Sequence, residues 1–150
     1  MRKVLASAFA VLVIAVATTV TADVSLDGVK CVVAPRPANP EKSVDYKEGK
    51  VFFCCGNCEA KFAKDSKPFT LKANQQLVST KQYEQKACPL SGGDIDESTA
   101  VKVEGTKVAF CCNNCKGKVE SAKDGEAKMK LVFSDKAFKN GFAKVKAEKE

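Results

Sequence analysis

No histidine occurs anywhere in the 150 residues. That absence removes histidine-based nucleophile pairs and every imidazole metal site. A transition-metal site in this chain must therefore be built on thiolates, helped at most by carboxylates or an outside ligand. Also missing are a glycine-rich phosphate loop between a strand and a helix, and a contiguous basic stripe interleaved with aromatic residues. The formal net charge is +7, but the charges are interspersed, as in Lys64-Asp65 and in the tail from Lys144 to Glu150. A solvated, mixed-charge surface follows, and nucleic acid is not an expected partner. Asp94 and Asp96 stand two apart without the rest of a calcium loop, so a turn or cap role is expected of them. With no catalytic constellation left, the chain reads as a non-enzyme.

Long apolar runs are also scarce, and the main one stands at the start. Arg2 and Lys3 precede it, and Val20-Thr21-Ala22 closes it with small residues suited to cleavage before Asp23. Residues 1–22 are expected to be a secretory signal peptide. The stretch from Val4 to Ala17 is shorter than the roughly 18 apolar residues a membrane span needs. The mature chain is therefore expected to be secreted or periplasmic and not an integral membrane protein. Asp27-Gly28-Val29-Lys30, ahead of Cys31, lacks the character of a lipidation site. Losing Arg2 and Lys3 with the signal lowers the formal charge from +7 to +5.

What the chain has in abundance is cysteine, eight residues in all, every one beyond the signal. Cys31, Cys54, Cys55 and Cys58 map onto Cys88, Cys111, Cys112 and Cys115 at a constant offset of 57 without gaps. Val51, Phe53, Asn57 and Lys61 recur at the same offset as Val108, Phe110, Asn114 and Lys118. Two homologous modules are expected, over residues 23–80 and 81–150. At this size one apolar core is marginal, and a disulfide or a metal commonly supplements it. Each module carries its own hairpin, helix start and cysteine set, so the halves are expected to fold largely on their own.

Apolar and charged residues alternate in Val44-Asp45-Tyr46 and Val101-Lys102-Val103. A turn follows at 47–49 or 104–106, then the apolar run into the cysteines, which predicts a β-hairpin. The turn glycine, Gly49 or Gly105, sits one place apart in the two copies, so the two loops need not share a geometry. Asn57 and Asn114 are suitable N-caps for a helix beginning at the last cysteine. Further helices are expected over Pro68–Val78 and from Ser134-Asp135 through Phe138, Phe142 and Val145, with Phe138 and Phe142 in the core.

Both modules read as a leading cysteine, twenty-two residues, a second cysteine, three residues and a last cysteine. This pattern, with the hairpin Tyr46-Lys47-Glu48-Gly49-Lys50-Val51-Phe52-Phe53-Cys54, resembles the TRASH and YHS families of small metal-binding modules. The resemblance covers about half of each repeat. It implies an α+β fold of two tandem small treble-clef-like modules, each a knuckle at the first cysteine, a β-hairpin and a helix. It also implies binding or delivery of metal, with another metal-handling protein as a partner. The chain departs from the YHS pattern at the knuckle, where Ala34 and Ser91 stand in place of a usual second cysteine.

Cys54 and Cys58, four apart, share a face once the helical turn has begun and can converge with Cys31 on one ion. Cys111, Cys115 and Cys88 repeat the set. A helix N-terminus lowers the pKa of a nearby thiol, and Cys58 and Cys115 are expected in that position. Strand alternation puts Val51, Phe53 and Cys55 on one face and Phe52 and Cys54 on the other. Cys55 and Cys112 are then buried neighbours, available as fourth ligands if the chain bends. The leading expectation is non-catalytic binding of a soft transition metal, zinc or copper(I), one per module. Two readings compete for the same sulfurs. An even cysteine count in an exported chain also suits a disulfide-stabilised protein-interaction scaffold. The C-x-x-C elements Cys55–Cys58 and Cys112–Cys115 look superficially like a thiol redox motif, without the larger domain and cis-proline of thioredoxin.

Overall fold

Alternating apolar residues on either side of a tight turn build the first hairpin. Strand β1 (Asn39–Tyr46) pairs antiparallel with β2 (Gly49–Phe53). Helix α1 (Gly56–Lys64) follows at once, and a short 3-10 turn over Lys67–Phe69, with Pro68 as its second residue, leads into α2 (Thr70–Ser79). Strand β3 (Tyr83–Gln85) is the bridge to the second half, which repeats the plan as β4 (Asp96–Val103), β5 (Thr106–Phe110) and α3 (Asn113–Glu120). Helices α4 (Gly125–Phe133) and α5 (Asp135–Gly141) and strand β6 (Phe142–Lys144) complete it. The computed structural model describes residues 24–146, so the expected signal peptide lies outside the described residues. Three two-stranded sheets, β1–β2, β3–β6 and β4–β5, combine with these helices in a mixed α and β fold. No helix among the described residues is long and apolar enough to cross a membrane.

The two hairpin turns have one geometry, although their glycines are out of register. Lys47 and Glu48 have φ of 47° and 61°, and Glu104 and Gly105 have 46° and 87°. Positive φ at both central residues marks the two-residue turn whose twist suits a hairpin. Gly49 serves a different purpose: a Cβ there would meet Gln82 Oε1 and Leu77 Cδ2 at 2.8 Å. Tyr83 donates its hydroxyl proton to the Lys47 carbonyl, and Lys47 Nζ meets Asp135 at 2.5 Å, so the other half of the chain braces the first turn. Both hairpins also shift register at matching places, after Asn39 and after Asp96. In the second, the Thr99 hydroxyl accepts from the Phe110 N–H at 2.8 Å and fills the gap.

The interior is continuous across the repeat boundary. Phe53 and Leu77 from the first half and Phe110, Val119 and Phe133 from the second belong to one cluster, all fully buried. Helix α2 packs against α4 and α5. Asn74 Nδ2 donates to the Phe133 carbonyl at 2.8 Å, and Gln75 Nε2 to the Glu104 carbonyl at 2.6 Å. The halves, expected to fold largely on their own, share this interior.

Three local expectations change. Phe52 and Ala109 are buried together with Val51, Phe53, Val108 and Phe110, so β2 and β5 are covered on both faces and alternation does not separate core from site. The closing helix stops at Gly141, short of Phe142 and Val145. A Cβ at Gly141 would lie 2.9 Å from Pro89 Cα, and its carbonyl accepts from the N–H groups of Lys86 and Ala87, which directs the chain into β6 beside β3. Helix α4 was not foreseen, although Asp124 caps it by accepting from the Ala127 N–H at 2.8 Å ahead of Met129, Val132 and Phe133. Phe138 and Phe142 do pack in the core, with ring centroids 5.4 Å apart.

Glu48→Gly relieves a side chain from the left-handed region and should raise stability by about 1 kcal/mol. Gly49→Ala forces Leu77 and Gln82 aside and should lower it by about 1–3 kcal/mol. Urea unfolding of the two variants beside the parent chain checks both signs.

Candidate metal centres

Each leading cysteine sits in a tight loop closed by its own backbone. The Cys31 N–H donates to the Arg36 carbonyl and the Cys88 N–H to the Gly93 carbonyl, both at 2.8 Å and both related by the repeat offset. Cys31 is 3% exposed and Cys88 0%. Strands β2 and β5 end at Phe53 and Phe110, which delivers Cys54 and Cys111 to the same place. The chain stays extended for one more residue, with φ −161° and ψ 165° at Cys55 and φ −167° and ψ 166° at Cys112, and the helices start directly after. Cys55 and Cys112 are therefore the N-caps, and Asn57 and Asn114, expected in that role, lie inside the first turn. Cys58 and Cys115 are the third residues of α1 and α3 and turn back toward the loop.

Three sulfurs converge in each half. The Sγ atoms of Cys31, Cys54 and Cys58 lie within 4.8 Å of one another, and so do those of Cys88, Cys111 and Cys115. The Cys54–Cys58 and Cys111–Cys115 separations are both 3.7 Å. Thiolates about 2.3 Å from a tetrahedral ion stand about 3.8 Å from one another, so these spacings fit an ion without rearrangement of the backbone. Cys55 Sγ is 3.8 Å from Cys54 Sγ, and Cys112 Sγ is 3.6 Å from Cys111 Sγ, but neither shares the mutual closeness of its triad. Nor are they core residues: Cys55 is half-buried and Cys112 exposed. Face alternation failed for them because the strand ends two residues earlier.

The thiols differ in proton affinity. Burial raises the pKa of Cys58 and Cys115, and the neighbouring sulfurs add to it, so that both are pushed up to about 12. This reverses the lowering expected at a helix start, because these side chains face their partners rather than the free N–H groups. Those N–H groups act on Cys55 and Cys112 instead. The backbone of Cys58 and Cys115 lowers their pKa most, although neither thiol makes a fully formed capping hydrogen bond. Burial also raises Cys54. At Cys31 burial acts upward but is outweighed by hydrogen bonds from the backbone of Cys54, Val33 and Ala34, for a net lowering. At Cys88 burial is likewise outweighed, by the Ser91 hydroxyl and the backbone of Cys111, Ser91 and Leu90, which brings it down to about 7.

Ser91 marks a difference between the centres. Its Oγ is 3.2 Å from Cys111 Sγ and accepts from the Gly93 N–H, whereas Ala34 offers no polar atom at the matching position. Asp96 accepts from the Ser98 N–H at 2.9 Å, which is the expected turn role, and Asp94 joins no ligand cluster among the described residues. Sequence reading missed two glutamines, Gln76 and Gln85, whose amides bond backbone at both walls of the triads. They are not related by the repeat offset, so comparing the modules could not find them. Comparison with protein-family models, curated proteins and solved structures finds no match.

In reduced protein, Cys112 combines exposure with a lowered pKa and should be alkylated first, Cys55 next, and Cys115, buried and with its pKa pushed up to about 12, last. Timed iodoacetamide labelling with peptide mass mapping gives the order.

Proposed function

We propose that the chain binds one thiophilic ion, zinc or copper(I), at each cysteine triad and carries out no catalysis. The observation that carries this reading is the convergence of three sulfurs, twice, at one repeat offset and at spacings suited to a single ion. In a chain without histidine, an all-sulfur set selects soft or borderline metals. Cys31, Cys54 and Cys58 would hold the first ion and Cys88, Cys111 and Cys115 the second. Cys55 and Cys112 are the nearest further thiols and would supply a fourth donor by side-chain rotation. Without them each ion would keep an open position for water or for a ligand from a delivering protein. The loop at the leading cysteine, the hairpin and the helix support a treble-clef-like unit in each half, residues 23–80 and 81–150, in keeping with the TRASH and YHS resemblance. With the expected signal peptide, this makes a secreted or periplasmic metal-handling protein whose partner is another protein of the same trade.

The disulfide reading is favoured by the expected export and by the closeness of the sulfurs, and one experiment separates the two. Reduced, metal-free protein titrated with cobalt(II) should develop thiolate charge-transfer bands that saturate at about two equivalents. Cys54→Ser or Cys111→Ser should remove one equivalent each, and Cys55→Ser or Cys112→Ser should cost much less. Absence of a thiolate band while all eight thiols titrate as free would overturn the metal reading. Few free thiols in protein taken from its native compartment would favour disulfides.

Burial and the neighbouring sulfurs push the Cys58 and Cys115 thiols up to about 12, so both are protonated at neutral pH in metal-free protein. Loading at neutral pH must therefore release protons, and apparent affinity should fall as pH is lowered, because protons compete with the ion for the same sulfur. Proton release measured in weakly buffered solution during titration tests the sign.

A further inference from the structure

We infer that Gln76 and Gln85 are positioning residues, each fixing the distance between the leading cysteine and the strand that carries the second cysteine of its triad. Gln76 Oε1 accepts from the Phe52 N–H at 2.6 Å, and its Nε2 donates to the Phe52 carbonyl at 3.0 Å and to the Lys30 carbonyl at 2.9 Å. Gln85 Oε1 accepts from the Ala109 N–H at 2.9 Å, and its Nε2 donates to the Ala109 carbonyl at 2.6 Å and the Ala87 carbonyl at 3.1 Å. The Lys30 and Ala87 carbonyls belong to the peptide bonds that carry the N–H groups of Cys31 and Cys88. Phe52 and Ala109 stand two residues before Cys54 and Cys111. One planar amide thus spans both walls of each triad and uses its acceptor and both donors to do so.

The partners obey the repeat offset, Lys30 with Ala87 and Phe52 with Ala109, but the glutamines do not. Gln76 lies on α2 and Gln85 on β3, nine residues apart. Two unrelated positions have arrived at the same three bonds to equivalent backbone, which ties the arrangement to what the halves share, a leading cysteine that must meet a strand end.

The competing account is that these amides only satisfy the free edge of a strand, and the same molecule contains that case. Gln82 Oε1 accepts from the Lys50 N–H at 2.6 Å and its Nε2 donates to the Lys50 carbonyl at 2.7 Å. Its third contact is the Thr80 hydroxyl at 2.8 Å, away from any leading cysteine. Gln82 caps the edge of β2 without joining it to the loop.

This inference rests on the metal-binding reading, and its test uses cobalt(II) with the full mature chain. Gln76→Met, Gln85→Met and Gln82→Met are each made in two backgrounds, one with the second centre disabled by Cys111→Ser and one with the first disabled by Cys54→Ser. Gln76→Met should weaken cobalt binding at the first centre, and Gln85→Met at the second, by about 10–100-fold, the usual cost of losing a group that orients metal ligands. The charge-transfer band should shift in energy at the affected centre alone. In the opposite backgrounds, and for Gln82→Met throughout, affinity should change by less than about threefold, below the range for such supporting groups. Gln76→Glu, of the same shape but with an oxygen facing two carbonyls, should reproduce the loss at the first centre. Gln85 is only half-buried, so its variant remains a fair trial should Gln76→Met fold poorly. If Gln82→Met weakens the first centre as much as Gln76→Met does, or if each variant weakens both centres alike, the glutamines act on the fold alone and the inference is wrong. Cobalt binding by the parent chain with unchanged variants sinks this inference only. No thiolate band in the parent sinks the metal reading, and this one with it.

Discussion

Each triad depends on holding a strand end against a loop that left the chain more than twenty residues earlier. Twenty-two residues separate Cys31 from Cys54 and Cys88 from Cys111, and closing such a loop costs entropy that the local turns alone do not recover. The hairpin shortens the problem by folding those residues back on themselves. Burial then fixes the result: Val51, Phe52 and Phe53 are all inside, as are Val108, Ala109 and Phe110. A strand covered on both faces cannot slide or rotate without exposing apolar surface at about 25 cal/mol per Å², so the cysteine that follows it is held in place.

The repeat supplies two such strands, and the segments outside the repeat join them. The helix after α1 packs on the helix after α3, so equivalent elements of the two halves meet. Around that contact the symmetry is broken by parts with no counterpart in the first half. Strand β6 pairs with β3 from the linker, and Asp135 at the start of α5 reaches Lys47 in the first hairpin turn. Lys47 and Glu48 adopt positive φ without glycine, which has a cost. The Tyr83 hydroxyl and the Asp135 carboxylate are the contacts that offset it.

What could be read from the sequence was what repeats or alternates. The offset of 57 located both triads, and period-two alternation located both hairpins. Reading stopped where a residue's role is set by something distant in the chain. Gly49 looked like a turn glycine but is required by Leu77 and Gln82. Asn57 looked like a cap, but the helix starts directly after the extended Cys55, which takes the cap position and leaves Asn57 inside the first turn. The proton affinities of Cys58 and Cys115 followed from side-chain direction rather than helix position, and direction is not encoded in spacing. Ser91 was visible as a departure from the expected ligand, but its closeness to the Cys111 sulfur was not.

If each triad holds an ion, as proposed, the shared interior would couple the two. With Leu77, Phe53, Phe110 and Phe133 in one cluster, the backbone that positions one triad also supports the other. A ligand that favours the folded chain over the unfolded one shifts that equilibrium by mass action, whichever end of the molecule it occupies. An ion at one end would therefore raise the share of molecules in which the other end is already assembled. The smaller that share is without ions, the more closely filling would approach all or none, with no contact between the ions themselves.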